Sequence, residues 1–171
     1  SFHVTGVQTC ALPISGQNGV LATSTNAITW TARTSGTSSI IYALTYGNGI
    51  WLAVAATNVG PITIYKSVNG TTWTKSAEIG TVTSTTAFNP TIVDLVYSNG
   101  RFVLFLNSVG TSTQNVPSGC LNSTDGVTWN NGPYISFANT KVAVSSSSST
   151  IIAQINSGFG SLSGMAKSTT W

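Results

Sequence analysis

One seven-residue phrase occurs three times in this 171-residue chain, and a phrase repeated at long spacing constrains a fold more than any local signal. The copies are Ser24-Thr25-Asn26-Ala27-Ile28-Thr29-Trp30, Ser67-Val68-Asn69-Gly70-Thr71-Thr72-Trp73 and Ser123-Thr124-Asp125-Gly126-Val127-Thr128-Trp129. Their tryptophans fall 43 and then 56 residues apart. Such a period predicts one supersecondary unit stacked several times.

A second phrase holds a fixed place in the unit. Tyr46-Gly47-Asn48-Gly49-Ile50-Trp51 and Tyr97-Ser98-Asn99-Gly100-Arg101-Phe102 match position by position, each behind an apolar run: Ile40 to Leu44, and Ile92 to Val96. A degenerate copy is Val142-Ala143-Val144, a serine tract, then Ile151 to Ile155, and a fourth box starts at Lys167-Ser168-Thr169. Asn-Gly suits a two-residue type I′ turn, which needs positive φ at both central positions. The unit therefore reads as four short antiparallel strands, and the chain as all-β. No stretch keeps apolar residues at helical spacing.

The box residues carry turn chemistry. Asn26, Asn69 or Asp125 supplies a short acceptor for backbone N–H groups of its own turn. Gly70 and Gly126 tolerate left-handed backbone, which Ala27 resists. Ser24, Ser67 and Ser123, with Thr29, Thr72 and Thr128, offer hydroxyls to bridge the hairpin. Trp30, Trp73 and Trp129 are expected at equivalent, largely buried places between sheets.

These boxes resemble the Asp-box, or BNR repeat, of sialidase-like β-propellers, in the spelling with Asp and Gly adjacent. The Tyr-x-Asn-Gly strand pair is similar to repeats of phage tail and bacterial surface proteins. The resemblance runs from about Gly19 to the C-terminus. It implies a partial β-propeller of four-stranded antiparallel blades, with parts at 15–34, 35–79, 80–133 and 134–171. At roughly 45 residues each this is about three to four blades, an open fragment of a ring of about four to eight. In that family the boxes serve structure, away from any active site.

The first residues read differently. Val4 to Ile14 back-translates to a string that resembles a short-read sequencing-library adapter. Residues 1–14 are accordingly expected to lie outside the domain. His3 and Cys10 leave with them, and Cys120 remains as a small buried hydrophobe.

Composition narrows function. Only nine residues are charged, six basic and three acidic, against roughly 25% in ordinary soluble domains. The basic residues form no stripe, which argues against nucleic acid. No run is long enough to span a bilayer as a helix. Ser, Thr, Asn and Gly dominate, as in extracellular or virion-surface β proteins.

A sialidase-type site needs three Arg, a Tyr supported by a Glu, and an Asp. Outside residues 1–14 the chain has Arg33 and Arg101, Glu78, Asp94 and Asp125, and no motif pairs the carboxylates. No residue is therefore assigned a catalytic, cofactor-binding or metal-binding role. The reading is a non-catalytic structural or recognition module of a phage tail or bacterial surface protein, with glycans or other surface proteins as partners. Its contact surfaces are expected at Thr57 to Thr63 and Asn107 to Gly119. The alternative is a fragment of a sialidase-like glycoside hydrolase with its catalytic residues outside this chain.

Overall fold

The computed structural model describes residues 12–57, 61–80, 90–108, 119–132, 141–144, 151–155 and 164–168. They form four antiparallel meanders in chain order. The first comprises β1 (Leu12–Ser15), β2 (Val20–Ser24) and β3 (Thr31–Thr34). The second comprises β4 (Ile40–Gly47), β5 (Ile50–Ala56), β6 (Ile62–Ser67) and β7 (Thr74–Ile79). The third comprises β8 (Pro90–Ser98), β9 (Arg101–Ser108), β10 (Gly119–Ser123) and β11 (Asn130–Asn131). The fourth comprises β12 (Lys141–Val144), β13 (Ile151–Ile155) and β14 (Gly164–Ser168). One 3-10 turn at Gln17–Gly19 is the sole helical element among the described residues. No sheet closes on itself among those residues.

The two Asn-Gly hairpins are alike in detail. Asn48 and Gly49 have φ of 49° and 76°, and Asn99 and Gly100 have 49° and 75°. Positive φ at both central positions matches the right-handed twist of the flanking strands. Behind each turn an aromatic pair closes the ladder. Tyr46 faces Trp51 at 4.7 Å between ring centroids, and Tyr97 faces Phe102 at 4.8 Å. A bulge interrupts each first strand at the same place, between Ile41 and Ala43 and between Ile92 and Asp94.

First strands neighbour first strands: β1 lies beside β4, β4 beside β8, and β8 beside β12. The sheets then pack face to face. Leu52, Val54 and Ala56 of β5 join Ile62, Ile64, Leu95, Phe102, Leu104 and Leu121 in one buried cluster between the second and third sheets. Trp51, Ala53 and Ala55, on the other face of β5, join Leu21, Ile41 and Trp73 between the first and second sheets. Every residue from Trp51 to Ala56 is therefore buried. A strand covered on both sides reads as a continuous apolar run rather than an alternating one.

One expectation needs correction. Leu12–Ser15 pairs with β2, Leu12 opposite Ser24 and Ile14 opposite Ala22, so the sheet begins three residues before the boundary set at Ser15. A back-translation concerns the origin of a segment and says nothing of its pairing capacity. Pro13 is tolerated because β1 is an edge strand among the described residues, where one side of the backbone needs no ladder partner. Residues 1–11 and the end of the fourth box, at 169–171, lie outside the described residues.

Candidate functional site

Each box joins the last two strands of its sheet, and the same bonds recur in all three. The Ser hydroxyl donates to the Asn or Asp Oδ1: Ser24 to Asn26 at 3.1 Å, Ser67 to Asn69 at 3.1 Å, Ser123 to Asp125 at 2.9 Å. That oxygen also accepts two backbone N–H groups further on. These are Ile28 and Thr29 at 2.9 and 2.8 Å, Thr71 and Thr72 at 2.9 Å each, and Val127 and Thr128 at 2.8 and 2.9 Å. The box Thr thus contributes its backbone N–H, and its hydroxyl takes no bond among the described residues. Gly70 and Gly126 donate their N–H to the Ser Oγ at 2.9 and 2.8 Å. Ala27 makes no such bond, and it is held at φ 59°, where a Cβ is strained.

The three tryptophans diverge. Trp73 is 7% exposed and its indole N–H donates to the Gly70 carbonyl at 3.0 Å. Trp129 is half-buried against the cluster between the second and third sheets. Its buried N–H finds no acceptor among the described residues. Trp30 is 38% exposed, which corrects the expectation that all three are largely buried. Trp73 shares its buried cluster with Leu21 of the first sheet, and among the described residues no sheet precedes the first to cover Trp30.

The third box rests on the sheet before it. Ser76 Oγ of β7 donates to the Gly126 carbonyl at 2.6 Å, and Lys66 Nζ of β6 donates to the Asp125 carbonyl at 3.3 Å. A Cβ at Gly126 would lie 2.7 Å from Leu52 Cδ2 on a backbone held at φ 73°, so a side chain there meets both crowding and strain. Ser76 takes the carbonyl equivalent to the one Trp73 uses in the second box.

The ionisable groups are engaged locally. The backbone N–H groups of Thr128 and then Val127, with the Ser123 hydroxyl, hold the Asp125 carboxyl down at about 2. Burial pushes the Asp94 carboxyl above its ordinary value, against the Leu95 N–H that it accepts at 2.8 Å. Glu78 pairs with Lys75. Arg33 Nε donates to Thr23 Oγ1 at 2.8 Å, and Arg101 Nη1 to Asn122 Oδ1 at 3.1 Å. Burial pushes the Cys120 thiol up to about 11, so it is a poor nucleophile at neutral pH. No group of three or more His, Cys, Asp or Glu gathers among the described residues. Nor is any helix there long and apolar enough to cross a membrane.

Described residues line clefts at two places of note. One, of about 510 Å³, is an open groove at the ends of β2 and β3 that includes Arg33, Ser35 and Thr37. The other, of about 250 Å³, lies between the end of β7 and the third box, lined among others by Glu78, Ile79, Leu121, Val127, Trp129 and Asn131. Nothing in the motif pattern marked it. The one available signal was a register comparison: Tyr65, two residues before its box Ser, becomes Leu121 in the next repeat. Of the expected contact loops, residues 58–60 and 109–118 lie outside the described residues. A scan against protein-family models and a search of curated proteins return no match to this chain.

Proposed function

We propose that the four meanders are blades of an Asp-box β-propeller, and that the chain is a non-catalytic recognition module that binds neutral glycans. Its setting would be a phage tail or bacterial surface protein, exposed outside the cell or on the virion. The observation that carries the reading is the recurrence of one side-chain-locked turn at the same place in three successive sheets. Neighbouring first strands in chain order are the arrangement that blades around an axis require. Asp125 is spent on its own turn, Asp94 on the Leu95 N–H and Glu78 on Lys75, which favours binding over acid–base chemistry. Exposed Ser, Thr and Asn suit hydrogen bonding to uncharged hydroxyls.

A glycan array probed with the full chain tests the reading. Retention on neutral oligosaccharides supports it. Hydrolysis of a fluorogenic sialoside or hexoside by purified protein, lost in Asp94→Asn or Glu78→Gln, overturns it.

A further inference from the structure

The molecule contains its own comparison for the cleft beside Trp129. In the second repeat, Tyr65 packs with the cluster that contains Trp73. There Trp73 is buried, with its N–H on the Gly70 carbonyl. In the third repeat Leu121 takes the place of Tyr65, and a cleft of about 250 Å³ opens beside Trp129. The two repeats thus share a turn and differ in the residue two places before the box Ser, Tyr65 in one and Leu121 in the other. The opened space is lined by Trp129, Glu78 and Asn131, among others.

We propose that this cleft is the subsite for one neutral hexopyranose unit. The inference rests on the glycan-binding reading and deepens it. An indole offers a flat apolar surface with one polar edge, which complements the C–H face of a pyranose ring. A carboxylate accepts from two hydroxyls at once, and an amide both donates and accepts. Lys75 pairs with Glu78 without itself lining the cleft. The volume falls below the ~300–1,000 Å³ of sites for drug-sized ligands, which matches a single ring. The Trp129 N–H is itself buried and finds no acceptor among the described residues, so the indole meets a ligand through its ring rather than through that N–H.

The test is a titration of the ¹⁵N-labelled full chain with methyl glucoside, methyl galactoside and methyl mannoside. The indole resonance of Trp129, assigned with Trp129→Phe, is expected to move while that of Trp73 stays. Glu78→Ala and Asn131→Ala alter exposed side chains and are each expected to weaken binding about tenfold. Binding that leaves the Trp129 resonance in place and is unchanged in both variants overturns the subsite and spares the glycan reading. If none of the three sugars moves the Trp129 resonance while the array retains neutral oligosaccharides, the subsite also falls alone. If neither the sugars nor the array bind, both readings fall.

Discussion

The ring of Tyr97 stands where a side chain on Gly47 would be: a Cβ there would overlap ring atoms Cγ, Cδ1 and Cδ2. Gly47 ends β4 and Tyr97 lies near the end of β8, so this contact sets how closely two neighbouring first strands approach. Gly47→Ala should destabilise by about 1–3 kcal/mol or more, as overpacking does. Much of that loss should disappear in a Tyr97→Ala background. A double-mutant cycle from urea melts reads the coupling, and additive effects would show that the ring is not the obstacle.

Ala27 sits at φ 59° in the turn where the other boxes have glycine. Ala27→Gly should stabilise by about 1 kcal/mol, since removing the Cβ relieves left-handed strain. The opposite change at Gly126 meets both positive φ and the Leu52 side chain. Gly126→Ala should therefore cost more than Gly49→Ala, where a Cβ has open space. Thermal melts of the three variants rank them.

The tryptophans should not respond alike. Trp73→Ala removes a buried, hydrogen-bonded indole and should cost roughly 3–5 kcal/mol. Trp30→Ala should cost about 1 kcal/mol or less. Equal losses in chemical denaturation would mean that Trp30 is covered in solution.

Asp125 and Asp94 should give opposite pH responses. The folded value of Asp125, about 2, lies below its ordinary 3.8. Its contribution is complete above 3.8 and is lost as pH falls towards 2. Asp125→Asn should melt like wild type near neutrality, because Asn69 makes the same bonds with a neutral amide, and should overtake wild type in acid. Because Asp125 is exposed, salt should shrink the difference.

Asp94 is raised by burial, so its ionised form opposes folding. Asp94→Asn should gain stability at neutral pH and converge with wild type as pH falls below the ordinary carboxyl range. Melting curves across pH check both signs.

Local features were legible in the sequence because their causes are local. Asn48-Gly49 and Asn99-Gly100 form turns that need positive φ, and Ser123 to Thr128 locks itself with its own side chains. What escaped depends on neighbours far away in the chain. The exposure of Trp30 follows from which sheet lies beside it, and the cleft at Trp129 follows from Leu121 standing where Tyr65 does. The pairing of Leu12 to Ile14 escaped because an adapter-like back-translation carries no information on whether those residues can pair with β2.

The two-sided burial of β5 removes a source of information. In a strand with one wet face, slipping by a single residue exposes the apolar row, and that penalty fixes the pairing register. On β5 a slip would exchange Trp51, Ala53 and Ala55 for Leu52, Val54 and Ala56, one apolar row for another. Alignment must therefore come from elsewhere. The two-residue turn at Asn48-Gly49 and the Tyr46–Trp51 pair behind it are the elements that hold the central strand in step.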